Sequence, residues 1–203
     1  MTDKISRVEL TAYVFKVPDL GLGGHGAMGV SNYEYQKGAS LKVMRLAVKI
    51  VTGDGLAGEY GVNWGSTEAT FGQICMLAPH LIGRDPETRE EIYDDLKREL
   101  RAYDRMGLGP LDIALWDLKA RINGEPLWKT LGASSNRVRA YASGIDYPLS
   151  DKEIRAFYER MAAKGVCSGK LKIGLDLESD MRRIGIMRDA LATSGKTPEL
   201  MID

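Results

Sequence analysis

The sequence has few cysteines, no long apolar run and no excess of charge of either sign. Its two cysteines, Cys75 and Cys167, stand far apart and outside any CxxC spacing, which argues against a disulfide framework and a structural zinc site. The 28 basic and 28 acidic residues cancel, so charge gives no reason to expect nucleic acid or an anionic membrane as a partner. No apolar stretch approaches the ~20 residues of a membrane-spanning helix, and the first residues lack the apolar core of a signal peptide. We therefore expect a soluble, cytoplasmic protein.

The first 60 residues are patterned as strands. Residues 5–17 are rich in β-branched and aromatic side chains, and the glycine-rich residues 18–32 predict a loop. Residues 41–51 and 56–60 predict two further strands, joined by the hairpin signal Thr52-Gly53-Asp54-Gly55. A small antiparallel sheet is the expected result.

Helical patterns follow. Residues 67–81 predict one helix, and Asp85-Pro86 predicts the start of a second that runs to about residue 103. A third helix carries a single apolar stripe, which predicts burial of one face. Its members are Leu111, Leu115, Leu118 and Ile122.

Beyond residue 137, strands and helices alternate, which is typical of βαβ units with a parallel sheet. The predicted strands are 138–143, 170–173 and 200–203, and the predicted helices are 150–165 and 178–191. Ser150 and Glu153 have the spacing of a capping box at the first of these helices. Lys172 and Asp203 are 31 residues apart, the ~31-residue repeat of a (β/α)8 barrel. We expect one domain over 1–133 and the beginning of a barrel over 134–203.

The segment Gly169-Lys170-Leu171-Lys172-Ile173-Gly174 carries the main chemical signal. Side chains alternate along a strand, so Lys170 and Lys172 share one face. Central strands of parallel sheets are usually apolar on both faces, so two lysines there need a reason. Adjacent ammonium groups disfavour each other's charge, which lets a lysine act as a general base near neutral pH. A half-exposed strand with two solvated lysines is the alternative, and the pair alone favours it.

Asp203 favours a catalytic role for the lysine pair over two solvated lysines. It follows the apolar residues 200–202, and so stands at a strand end one repeat after Lys172. A carboxylate there can bind Mg²⁺, which prefers hard oxygen ligands, although an aspartate that merely begins a loop is the alternative. A lysine beside a metal ligand suits removal of the proton alpha to a carboxylate: the metal stabilises the enediolate and the lysine takes the proton.

At these residues the sequence resembles a known family. KLKIG, followed one repeat later by LMID, resembles the second and third barrel strands of the mandelate racemase and muconate lactonizing enzymes of the enolase superfamily. Residues 107–133, GLGPLDIALWDLKARINGEPLWKTLGA, are similar to the family segment between capping domain and barrel, and GEYG at 58–61 fits the capping sheet. The resemblance implies an α+β capping domain followed by the first strands and helices of a (β/α)8 TIM barrel, truncated.

The resemblance also implies residue roles. Lys172 is expected to be the base, Lys170 its electrostatic partner and Asp203 the first ligand of Mg²⁺. The family needs further acidic ligands from later strands, and many members need a later acid–base pair. We therefore expect the native protein to be about twice as long, and this chain alone to be inactive.

Candidate substrate contacts are dispersed along the chain. His25 lies in a stretch that matches GxGxxG, but poor helix-forming sequence follows it, so we interpret the stretch as a lid over the substrate and not as a dinucleotide site. Tyr60 and Trp64 could wall the pocket from a second loop, and Ser143 ends the first predicted barrel strand. Each could equally be a packing or surface residue.

For the reaction, our first expectation is dehydration of a sugar acid, an aldonate or aldarate, to a 2-keto-3-deoxy acid. The glycine-rich polar lid favours it. Racemisation or epimerisation of a 2-hydroxy acid or amino-acid derivative, and a muconate-type cycloisomerisation, share its first step and stay open. Two other classes also stay open: a non-catalytic binding or assembly protein, and a nicotinamide-dependent oxidoreductase. The expected partner is a small-molecule carboxylate, and the expected assembly is a homo-oligomer.

Overall fold

The computed structural model describes residues 3–22, 33–62, 67–144, 149–174 and 176–203, with the side chains of 33–35 left aside. The chain forms two compact units. The first unit contains Met1–Phe15 and Val43–Asn136, and the second contains Lys16–Lys42 and Arg137–Asp203. Within the described ranges no helix is long and apolar enough to cross a bilayer.

One three-stranded sheet is built from the first 62 residues. Its strands, in spatial order, are β1 (Ile5–Leu22), β2 (Tyr33–Thr52) and β3 (Ala57–Val62). β2 and β3 are antiparallel, and the predicted hairpin turn is confirmed by the hydrogen bond from Thr52 N–H to the Leu56 carbonyl, 2.9 Å.

The prediction of a loop over residues 18–32 is wrong for residues 18–22, because β1 continues through Pro18 to Leu22. Its neighbour β2 begins at Tyr33, eight residues before the predicted start, and so provides a partner for the longer strand. Residues 23–32, which include His25, lie outside the described residues.

Four helices follow the sheet. They are α1 (Thr67–Leu77), continued by a 3₁₀ turn over Ala78–His80, α2 (Arg89–Glu99), α3 (Leu108–Ile122) and α4 (Leu127–Thr130). The predicted start of α2 at Asp85-Pro86 is wrong. The Asp85 carboxylate accepts the N–H of Glu87, and the Asp85 carbonyl accepts the hydroxyl of Thr88. These bonds close a turn, so the helix begins only after Thr88.

The apolar stripe of α3 is confirmed as the centre of the first unit's core. Leu111, Leu115 and Leu118 are buried, and Ile122 packs beside them half-buried. The helix lies directly on β3 at Gly58, where a Cβ atom would stand 2.1 Å from the Ala114 carbonyl oxygen. Only a glycine allows so close an approach of helix and strand.

The second unit contains the predicted alternation. Its elements are β4 (Ala142–Ser143), α5 (Asp151–Ala162), β5 (Ser168–Leu171), α6 (Leu177–Ala192) and β6 (Glu199–Ile202). Both β4–β5 and β5–β6 pair in parallel, as expected of βα repeats. The strand predicted over 138–143 shrinks to two residues, because only Ala142 and Ser143 find partners on β5, and Val138 is 93% exposed.

Helices α5 and α6 cover one face of this parallel sheet. The predicted capping box is confirmed, since Ser150 Oγ accepts the N–H of Glu153 and the Glu153 carboxylate accepts the N–H of Ser150. The core beneath the helices is fully buried or nearly so. Its members are Ala142, Ile154, Tyr158, Leu171, Met187, Ala190 and Leu191.

Gly169, within β5, packs directly against α5 and α6, and we expect Gly169→Ala to lower stability. The added Cβ would stand 2.9 Å from both Leu191 Cδ1 and Tyr158 Cε1, so the core must shift, at a cost of about 1–3 kcal/mol. Urea denaturation of the variant measures this loss. Gly185→Ala is the control, because that helical glycine faces open space and alanine should add up to about 1 kcal/mol. Equal midpoints for Gly169→Ala and the parent would contradict the expectation.

Candidate active site

The parallel pairing of β5 with β6 brings the segment of the two lysines and the segment of Asp203 to one edge of the sheet. Lys170 is in register with Met201, and the ladder continues one residue beyond both strands. The N–H of Asp203 bonds to the Leu171 carbonyl at 3.0 Å, and the N–H of Ile173 bonds to the Asp203 carbonyl at 2.9 Å. Lys172 therefore stands opposite Asp203, and the strand that was predicted to run to residue 173 ends at Leu171.

Both lysines point at the same carboxylate oxygen. Lys170 Nζ lies 3.0 Å and Lys172 Nζ 2.8 Å from Asp203 Oδ2. The two lysines share a face because they are two positions apart, while Leu171 between them is buried toward the helices. The side chains are 28%, 39% and 44% exposed for Lys170, Lys172 and Asp203, so solvent and small molecules can reach them.

The charge on Asp203 is set by these contacts. The hydrogen bond from Lys172, then that from Lys170 and their positive charges, lower the pKa of the Asp203 carboxyl from 3.8 to about 2. Each donated hydrogen bond favours the ionised form, so the carboxylate stays charged in acid well below its ordinary pKa. The attraction is present above the ordinary pKa and is lost only as the pH falls through about 2.

The described residues at this edge provide one carboxylate ligand for Mg²⁺. Asp203 offers an ionised, accessible oxygen ligand at a strand end, and Mg²⁺ is commonly held by one or two carboxylates together with water and substrate oxygens. In the part of the chain that the structure describes, no group of three or more His, Cys, Asp or Glu side chains is placed to hold a metal ion. Asp203 thus fits as one ligand of such an ion.

The other predicted residues have different positions. Ser143, exposed at the end of β4, is in register with Lys170 and so lies at the same edge of the sheet. Tyr60 belongs to the first unit, where it packs half-buried against the core. His25 and Trp64 lie outside the described residues.

Two residues near the lysines were not anticipated from the sequence. The Tyr158 hydroxyl of α5 donates to the Lys170 carbonyl at 2.7 Å, and Asp180 of α6 accepts the N–H of Gly174 at 2.8 Å. A tyrosine inside the apolar stripe of α5, with Ile154 and Ala162, was the available signal, because a buried hydroxyl needs a partner. For Asp180 the sequence contained no distinctive signal, because acidic residues are common in the first turn of a helix.

Comparison with known proteins identifies the family of the chain. Residues 36–132 match the N-terminal domain of the mandelate racemase / muconate lactonizing enzyme family. A 3,6-anhydro-alpha-L-galactonate cycloisomerase of Streptomyces coelicolor is 33% identical in an alignment of 175 residues that covers 82% of this chain and 48% of the relative. An arabinonate dehydratase of Saccharolobus solfataricus is 32% identical in an alignment of 167 residues that covers 74% of this chain and 43% of the relative. The chain thus spans less than half the length of each of these curated relatives.

A solved structure has the same fold. It is an enolase with bound Mg from alpha pretobacterium bal199, which superposes with a TM-score of 0.77 at 21% identity and covers 98% of this chain and 54% of its own. The fold is therefore an α+β capping domain followed by the first strands and helices of a (β/α)8 barrel. The matched domain, the curated relatives and the fold agree, and the chain belongs to the mandelate racemase / muconate lactonizing enzyme family of the enolase superfamily.

Proposed function

We propose that the whole protein is a Mg²⁺-dependent enzyme that removes the proton alpha to a carboxylate and so forms an enediolate. The observation that carries the proposal is the convergence of Lys170 and Lys172 on Asp203 Oδ2, 3.0 and 2.8 Å away, at the carboxyl ends of adjacent parallel strands. Barrel enzymes place their catalytic groups at that end.

Each side chain has a distinct role in this proposal. Lys172 is the general base, and its Nζ takes the proton from the carbon next to the substrate carboxylate. Lys170 keeps a second positive charge beside it, which attracts the anionic substrate. Asp203 is the first protein ligand of Mg²⁺, which when bound supplies positive charge for the developing enediolate oxygens. Ser143, one strand away from Lys170, is a proposed substrate contact.

The substrate we favour is a sugar acid. One relative is an arabinonate dehydratase and another acts as a cycloisomerase on an anhydrogalactonate. After Lys172 has taken the C2 proton, the C3–O bond breaks and the hydroxyl leaves with one proton as water, which gives an enol that tautomerises to a 2-keto-3-deoxy acid. Cycloisomerisation of a sugar-acid derivative is the second candidate, favoured by the Streptomyces relative, and it shares the proton-removal step.

The test is a panel of aldonates and aldarates incubated with the native full-length protein and Mg²⁺ in D₂O. We expect deuterium at C2, or a 2-keto-3-deoxy acid in its place, for at least one member. Removal of the metal with EDTA should stop the reaction, and added Mg²⁺ should restore it. ¹H NMR follows the C2 proton, and a keto-acid assay follows the product. Exchange or keto-acid formation that persists in EDTA would contradict the role of the metal, and a panel that shows neither exchange nor keto acid would contradict the substrate class.

A further inference from the structure

Two buried side chains of the helical layer hold the backbone on either side of Lys172. Tyr158, which is fully buried, donates its hydroxyl hydrogen to the Lys170 carbonyl, two residues before Lys172. Asp180, 6% exposed, accepts the N–H of Gly174, two residues after it. The two contacts come from different helices, α5 and α6, and reach opposite ends of the same short segment.

The Tyr158 contact lies at the last described pair of β4 and β5, Ser143 with Lys170. The carbonyls of Cys167 and Leu171 bond to β6, through the N–H groups of Glu199 and Asp203. Bonding direction alternates along a strand, so the Lys170 carbonyl faces the side of β4, which ends at Ser143. At that point the Lys170 carbonyl accepts the tyrosine hydroxyl, so α5 bonds directly to the end of the strand.

Close packing keeps both anchors in place. The Tyr158 ring lies so near β5 that a Cβ atom at Gly169 would stand 2.9 Å from its Cε1. Asp180 is fixed by the first turn of α6, where its N–H bonds to the Asp176 carbonyl and the Asp176 side chain caps the N–H of Ser179. Both contacts reach backbone atoms of the lysine segment, and both come from the helical layer that covers the buried face of the strand.

We propose that Tyr158 and Asp180 are positioning residues for the Lys170–Lys172 pair: from the helical layer they fix the strand end so that both amines converge on the Asp203 carboxylate. The inference rests on the proposed function, because it concerns the geometry of the proposed base. A base must be held close to its productive position, since a displacement of 1 Å can cost about 100-fold in rate.

The first test is Tyr158→Phe in the native full-length protein, which keeps the ring and removes the hydroxyl. We expect kcat for C2 exchange to fall on the order of tenfold with KM changed less than about twofold, because positioning of the base matters more to the transition state than to substrate binding. The ¹³C resonance of the Lys170 carbonyl should shift in the substrate-free protein. Ile154→Val is the matched control: it removes one methyl group from the same helix and core, and kcat should stay at the parental value.

The second test compares two changes at Asp180. Asparagine keeps an oxygen that can accept the Gly174 N–H, whereas alanine does not. We therefore expect Asp180→Ala to lower kcat on the order of tenfold and to speed deuterium exchange of the Gly174 amide, and Asp180→Asn to restore much of both.

Failure of this inference differs from failure of the proposed function. If Lys172→Met abolishes C2 exchange while Tyr158→Phe and Asp180→Ala keep the parental kcat, the positioning role is overturned and the base assignment stands. Loss of kcat in Ile154→Val equal to that in Tyr158→Phe would also overturn it, because the effect would then be one of core stability. If Lys172→Met exchanges at the parental rate, the proposed function itself fails.

Discussion

Replacement of Lys172 by methionine is expected to lower the rate of C2 proton exchange by about 100- to 10,000-fold, the usual contribution of a general base. Methionine keeps an unbranched stem, with sulfur in place of Cδ, and lacks the amine. The side chain is 39% exposed and stands one residue beyond β5, so the fold does not depend on it. The exchange rate of the C2 proton in D₂O, followed by ¹H NMR at saturating Mg²⁺, measures the effect.

Three further variants test whether the loss of exchange is specific to Lys172. Lys164→Met removes an exposed lysine of the same unit and should leave the rate unchanged. Lys170→Met should slow exchange less than Lys172→Met, because it removes the neighbouring charge and leaves the base. Lys170→Arg should recover part of that loss, since the charge is kept. Parental exchange in Lys172→Met, or a greater loss in Lys170→Met, would show that the base is assigned wrongly.

The edge at which these residues meet could be predicted because it depends on two local regularities. Alternation along a strand places Lys170 and Lys172 on one face whatever the neighbouring elements do. The 31-residue separation of Lys172 from Asp203 then brings the next strand end alongside, since successive βα repeats form adjacent parallel strands. Both regularities can be read from a single sequence, and the paired strands have the expected register.

Features that depend on a partner element could not be predicted in this way. Pro18 reads as the beginning of a loop, yet the strand passes through it because β2 extends alongside. Val138 has a strand-forming side chain, yet β5 is too short to pair with it. The Asp85-Pro86 turn has the composition of a helix start, yet its own hydrogen bonds close a turn there, and α2 begins only at Arg89. Tyr158 was missed for the same reason, because its hydroxyl matters only once α5 lies over the end of β5.

Asp203→Asn is the second change with a large expected effect. Asparagine has the same shape, but it replaces an ionised carboxylate with a neutral amide. We expect Mg²⁺ affinity to fall and the C2 exchange rate to drop by at least about 100-fold, because the group that anchors the stabilising charge is weakened. Isothermal titration with Mg²⁺ measures the binding, and the D₂O assay measures the rate. Asp189→Asn, which removes an exposed carboxylate of α6 that pairs with Arg188, should change neither.

Taken together, the two substitutions separate binding of the metal from removal of the proton. Lys170 and Lys172 both contact Asp203 Oδ2, so they compete with a cation for that oxygen. Lys172→Met should therefore bind Mg²⁺ at least as tightly as the parent while it loses exchange, whereas Asp203→Asn should lose both. Because the pKa of Asp203 is about 2, its charge is constant between pH 5 and 8, and the loss of metal binding in the asparagine variant should be the same across that range. If Asp203→Asn binds Mg²⁺ as the parent does, then Asp203 serves only to hold the two lysines, and the metal must be bound by other groups.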